Sequence, residues 1–388
     1  MLCIKNGLIH DAVNKEPYIA DILVDSGKIS AIGPNLEVPA DADLIDASGL
    51  EVYPGFVEAH GHTGLDGHGA GSIQADYNER NDIVTPQLRA IDAINPMDQG
   101  MRAAALAGVT TVCVGPGSTN VVGGTFAAVK TWGKRIDKMI VKEAIGMKCA
   151  FGENPKSYHS KFTTSRMTTA FYLREALANA REYMMQKEAA GDDLSKMPAL
   201  NMKHEALIPV LKKEIPLKAH AHAADDMFTA IRIAKEFDVN LTLEHVSEGH
   251  LIVEELAEEN VPLAVGPTLT SASKYELRNL SWSTPKLLAE AGCQVSIITD
   301  AQVSPQEFLP VCAGIAVEAG MDPFMALQAV TINPAKQCLI ADRVGSLEAG
   351  KDADIVIADG SPLTVPTKIC YVLIDGKIIK APEDPQLL

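Results

Sequence analysis

The chain has 388 residues, 47% of them apolar and 22% charged, and carries a formal charge of −16. That acidity argues against a nucleic-acid or anionic-membrane surface, since both select clusters of Lys and Arg. No apolar run reaches the ~18 residues a membrane helix needs, the start lacks a signal-peptide core, and seven scattered cysteines without a C-x-x-C read as reduced side chains of a cytoplasmic protein.

Residues 1–53 look all-β. Residues 19–33 alternate apolar and polar around a turn at Asp25-Ser26-Gly27. Val52, Phe56 and Val57 then give a strand-like approach to His60-Gly61-His62, with further glycines at 64, 67 and 69. Beyond this point helix and strand alternate. Residues 97–107 have a helical period and stop at Gly108; 109–114 form an apolar strand; 139–151 hold one strand or two. A loop and long helix over 163–193 set Leu173, Leu177 and Ala180 on one face. Strands at 216–219, 240–245, 261–265 and 294–300 are separated by helices at 224–237, 251–260 and 285–291. Such alternation implies a parallel sheet, which closes into a (β/α)8 barrel or stays open. The C-terminal strands 353–358 and 371–379 return to the style of the N-terminus, and Ile374-Asp375-Gly376-Lys377-Ile378 echoes the hairpin at 24–29. Both chain ends are thus expected to share one small β-sandwich.

Five strand ends carry side chains suited to metal binding: His60 and His62; Glu153 in Gly152-Glu153-Asn154-Pro155-Lys156; His220 and His222; His245; and Asp300. Alternate residues of an extended segment point the same way, so His60 and His62 can aim two imidazoles at one point. In a parallel barrel, chemistry gathers at the C-terminal ends of the strands. The set therefore predicts a divalent metal centre. Imidazole and carboxylate suit zinc, with iron, manganese and nickel also compatible.

These residues resemble the signature of the amidohydrolase superfamily. The likeness runs over nearly the whole chain, including the return segment Gly345-Ser346-Leu347-Glu348-Ala349-Gly350-Lys351-Asp352-Ala353-Asp354. Gly152-Glu153-Asn154-Pro155-Lys156 and the loop Val122-Gly123-Gly124-Thr125 are similar to its imidazolonepropionase-like branch. The resemblance implies a (β/α)8 TIM barrel over residues 54–343 and a β-sandwich from 1–53 plus 344–388. It implies one or two metal ions, with His60, His62 and Asp300 on the first. Glu153 would bridge to a second ion held by His220 and His245, with His222 as the rival fifth-strand ligand and a carboxylated Lys148 as the rival bridge. Asp300 would act as general base and then general acid. His222, Lys156, Tyr158, Gly123 and Gly124 are candidate substrate contacts, as are Lys130, His159 and His68. The expected reaction is hydrolysis of a C–N bond in an amide, cyclic amide or peptide of a small-molecule substrate, with no nucleic-acid or membrane partner and a homo-oligomer left open. A deaminase or dipeptidase of the same superfamily is the first rival, and a non-catalytic binding protein on the same scaffold the second.

Overall fold

The computed structural model describes residues 1–68, 75–158, 161–365 and 367–382. Two sheets organise them. The first takes β1 (Leu2–Ile9), β2 (Tyr18–Asp25), β3 (Lys28–Gly33), β4 (Asp43–Asp46) and β5 (Glu51–Pro54) from the N-terminus. The second is built from β6 (Phe56–Gly61), β7 (Val109–Val114), β8 (Val122–Lys130), β9 (Ile140–Ala150), β10 (Leu217–Ala221), β11 (Leu241–His245), β12 (Leu263–Val265) and β13 (Val295–Ile297). The chain then returns to the first sheet with β14 (Ile355–Ala358), β15 (Ile369–Ile374) and β16 (Lys377–Lys380).

The first sheet has the order β16-β15-β14-β5-β1-β2-β3, with β4 added on β1. The two chain ends meet where β14 pairs antiparallel with β5, Ile355 opposite Pro54 and Ala358 opposite Glu51. Ile4, Ile22, Val24, Ile29, Val52, Ile355, Ile357 and Leu373 fill its apolar interior. Both expected hairpins are present. Their central residues, Ser26-Gly27 and Asp375-Gly376, have φ of 50° and 81° and of 48° and 71°, the left-handed pair a two-residue turn needs to match strand twist.

The second sheet runs β6 to β13 in chain order and forms the barrel. Neighbours are parallel except at β8, which is antiparallel to both β7 and β9. Antiparallel strands need no helical crossover, and the segment between Val114 and Val122 contains none. The Gly123-Gly124 stretch, expected to be a loop, is therefore the start of a strand. Two side-chain-free residues at the start of a strand buried on both faces left no periodicity for a pattern search to find. The segment at 139–151 is one strand of 11 residues. Between β13 and β6 the wall is completed by Glu58, whose Oε2 accepts from the Thr299 backbone N–H at 3.0 Å and its hydroxyl at 2.6 Å. His62 also donates its N–H to Ala301 O at 2.6 Å.

Helices cover the outside. Residues Gln99–Leu106 begin at Asp98, whose side chain accepts from Gly100 N, a standard remedy for an unpaired first-turn N–H. Arg166–Ala190 begins at Ser165 in the same way, and buries Leu173, Leu177 and Ala180 as expected. Helices at Met202–Leu211, Leu309–Glu318, Pro323–Ala329 and Ile332–Gln337 complete the layer. No helix among the described residues is long and apolar enough to cross a membrane.

Candidate metal centre

All five histidines of the strand-end set and Asp300 meet at one mouth of the barrel. His60 lies near the end of β6, His220 near the end of β10, His245 at the end of β11, and Asp300 just beyond β13. One ligand atom each from His220, His222 and His245 lies within 4.8 Å of the others, and the same holds for His60, His245 and Asp300. His62 Nε2 is 3.3 Å from Asp300 Oδ1 and His60 Nε2 is 3.8 Å from it.

Four of the five rings are oriented from behind. His62 Nδ1 is 2.7 Å from Gly115 O, His245 Nδ1 is 3.0 Å from Gly266 O, and His222 Nδ1 is 2.8 Å from Ser247 Oγ. His60 Nδ1 is 2.8 Å from Glu244 Oε2. A ring whose Nδ1–H is given to an acceptor presents its Nε2 lone pair forward. His245 Nε2 and both ring nitrogens of His220 are buried with no hydrogen-bond partner among the described residues. Buried polar atoms are ordinarily satisfied, so these orphans fit a cation. A nitrogen and carboxylate donor set fits one too.

The electrostatics suit ligation. Burial, then the charges around them, holds His60, His220 and His222 well below the ordinary histidine range and puts His245 at about 4. Neutral imidazole is the ligating form. Burial pushes Asp300 up, but the imidazoles of His245, His62 and His60 outweigh it and hold the carboxyl below its usual range. Backbone strain marks the same residues: His245, Val246 and Asp300 have φ of 77°, 50° and 50°. Left-handed conformations at non-glycine residues cost roughly 1–3 kcal/mol each and collect at functional sites. No sequence pattern signalled them.

The sequence model described as the amidohydrolase family matches residues 52–380. The chain belongs to the amidohydrolase family. A crystal structure of an amidohydrolase from Thermotoga maritima superposes with a TM-score of 0.95 at 39% identity, covering 98% of this chain and 100% of that one. The tasK amidohydrolase of Hapsidospora irregularis is 28% identical over 92% of this chain, and an imidazolonepropionase of Symbiobacterium thermophilum is 26% identical over 85% of this chain and 81% of its own length. The chain spans 40% of the tasK protein and 57% of an adenine deaminase 1 from Desulfotalea psychrophila that it also resembles.

The other candidates in this amidohydrolase differ in how near they come to that mouth. The Glu153 carboxylate is turned to the backbone, where Oε1 accepts from Glu276 N at 3.0 Å; it is in neither of the two ligand groups. Lys148 is buried on β9 with Nζ 2.9 Å from His60 Nε2, and burial lowers its pKa to about 8. Gly123 and Gly124 sit on β8 beside it, Gly124 opposite Lys148 in register. Lys156 is half-buried on the short helix Glu153–Tyr158. The Tyr158 side chain and His159 lie outside the described residues. His68 is exposed. Lys130 is not at the mouth: its ammonium is buried against Asp354 at 2.7 Å, Asp352 at 3.0 Å and Asp375 at 3.1 Å, where β8 meets the first sheet. Sequence reasoning missed Glu244, which sits one residue before His245, and Glu276, which lies in an irregular loop with no periodicity to place it.

Proposed function

We propose that this chain is a metal-dependent hydrolase that cleaves the C–N bond of an amide, cyclic amide or peptide, with zinc as its cation. The observation that carries the reading is the convergence of His60, His62, His220, His222, His245 and Asp300 at one mouth, three of their ring nitrogens buried and unpartnered. His60, His62 and Asp300 would hold one ion, and His220 and His245 a second. Bound there, zinc supplies Lewis acidity toward a carbonyl oxygen and lowers the pKa of a water to about 7. Asp300, ionised at neutral pH, is placed to accept a proton from the attacking water and to return it to the departing nitrogen.

Geometry favours Lys148 over Glu153 as the bridging group. Its amine is beside His60, and a pKa of about 8 leaves a fraction neutral near neutral pH. A neutral amine adds to carbon dioxide, forming an N–C bond and releasing one proton, which gives a carbamate on Lys148. The Glu153 carboxylate is already committed to Glu276 N. We read the barrel, residues 54–343, as the catalytic unit and 1–53 plus 344–388 as the sandwich. Seven free cysteines, most of them buried, favour a reducing cytoplasmic setting.

Elemental analysis of the purified protein, followed by a screen of N-acyl amino acids, dipeptides and cyclic amides, tests the proposal. Stoichiometric zinc and turnover that chelation removes and zinc restores are expected. Failure to take up any divalent cation would overturn it, and ammonia release from aminopurines alone would replace it with a deaminase.

A further inference from the structure

The loop after β12 brings a second carboxylate to the histidines. Glu276 lies in the short turn Tyr275–Leu277, and its side chain is 1% exposed. Its Oε1 is 3.8 Å from His220 Nε2 and 3.7 Å from His222 Nε2. His222 is anchored through Nδ1 to Ser247, which leaves Nε2 toward Glu276, and His220 has no other partner among the described residues. These separations are too long for hydrogen bonds. They are close to the spacing of two donors on one ion, since tetrahedral ligands at about 2.1 Å lie about 3.4 Å apart.

The carboxylate is held in place rather than merely nearby. Glu153 N donates to Glu276 Oε2 and Glu276 N donates to Glu153 Oε1, both at 3.0 Å, so two loops clasp each other across the mouth. Lys274 Nζ reaches Glu276 Oε1 at 2.5 Å and Asn154 Oδ1 at 3.2 Å. Gly152 makes room: a Cβ there would come within 2.4 Å of Glu276 Oε2.

We propose that Glu276 and His222 join His220 and His245 as donors to the second ion, with Glu276 as a protein ligand from the loop after β12. The proposal rests on the metal-dependent reading above and extends it. It gives His222 a ligating role, and it gives the Glu153–Glu276 clasp the task of presenting a carboxylate to the ion. In the absence of the cation, the Lys274 ammonium neutralises the same oxygen.

Cobalt(II) titration of the chelator-stripped full chain, followed by its visible d–d absorption, tests this without recourse to activity. Glu276→Gln is expected to weaken one class of cobalt site at least tenfold and to change the d–d bands, while the class depending on His60, His62 and Asp300 is retained. Lys274→Met, which removes the ion pair and the Asn154 hydrogen bond but no proposed donor, is expected to keep or tighten that binding. Should Glu276→Gln fail to fold by circular dichroism, Glu276→Asp is used, and a shifted d–d spectrum is expected from its shorter reach. Wild-type stoichiometry, affinity and spectrum in the folded variant would overturn the site while leaving the metal reading intact. An unsubstituted chain that takes up no cobalt would overturn both.

Discussion

Glu244 Oε2 lies 2.8 Å from Nδ1 of His60, and both side chains are fully buried. The contact fixes which nitrogen of His60 faces the barrel mouth. The other Glu244 oxygen accepts from Lys218 Nζ at 3.0 Å and from Thr242 Oγ1 at 2.5 Å, so one carboxylate both orients the His60 ring and neutralises a buried ammonium. Two separable effects are expected of Glu244→Gln. Loss of such a supporting carboxylate weakens metal binding about 10–100-fold. Leaving the Lys218 charge uncompensated costs about 3–5 kcal/mol of stability. The double variant Lys218→Met/Glu244→Gln should recover much of the stability and none of the affinity. Calorimetric zinc titration beside urea unfolding separates the two, and zinc affinity equal to wild type in the double variant would remove Glu244 from any positioning role.

Asp300→Asn keeps the shape of the side chain and removes its ability to carry a proton. Positioned acid–base groups contribute about 10²–10⁴-fold to rate, so turnover of an active substrate should fall by that order. Four or five histidine donors remain, and bound metal should be largely retained. Parallel measurement of kcat and of metal content checks both halves; unchanged kcat would take Asp300 out of the mechanism.

Lys130 ties the barrel to the sheet made from the chain ends. Burial lowers its pKa, but Asp354, Asp375 and Asp352 outweigh that and raise it, so this stabilisation is present below the ordinary lysine pKa and lost as pH rises through the raised value. Asp352 behaves in the opposite sense. Burial raises it, the Lys130 charge and the Lys28 hydrogen bond lower it further, and its stabilisation is lost as pH falls through the depressed value. Stability should therefore hold level between the two limits and fall below about pH 4, the ordinary carboxyl pKa. Lys130→Met leaves the buried Asp354 without its ammonium, while Asp352 keeps Lys28 and Arg343, and should cost up to about 3–5 kcal/mol at neutral pH. That penalty should shrink in acid, where the carboxyls protonate and need no ammonium. Urea unfolding of both proteins across pH 3–8 reads this, and a pH-independent penalty would mean that only packing was lost.

What the sequence made legible follows from period and from strand ends. The helix Ala224–Phe237 was readable because burial on one face imposes a repeat, and β10 and β11, buried throughout, were readable as short runs alternating with helices. The candidate ligands on those strands were readable because barrel chemistry sits where such strands stop. Strand β8 was not, since burial on both faces leaves no alternation, Gly123-Gly124 interrupts its apolar run, and nothing local announces a reversed direction. Lys148 was visible only as a rival to Glu153, because the deciding fact is a 2.9 Å approach to His60 across 88 residues of chain. Glu276 belongs to the same class: its neighbours in sequence say nothing of the two histidines it faces.

The paired glycines of β8 allow a sharper test of that reading. Gly124 has φ of 125°, and a Cβ built on it would lie 2.4 Å from Leu88 O, the backbone acceptor for Thr125 N. Gly124→Ala combines a forbidden conformation with a clash against backbone, and should destabilise by at least ~1 kcal/mol. Gly123 has no such φ. Its Cβ would meet Pro116 Cβ at 3.1 Å and Lys148 Cγ at 3.5 Å, contacts that small shifts relieve. Gly123→Ala should cost little stability, because a shift of a few tenths of an ångström relieves its one tight contact, with Pro116, and should leave metal stoichiometry and turnover unchanged while the unfolding midpoint barely moves. If Gly123→Ala loses as much stability as Gly124→Ala by urea unfolding, the Pro116 contact cannot give and the two glycines are equally required by the strand.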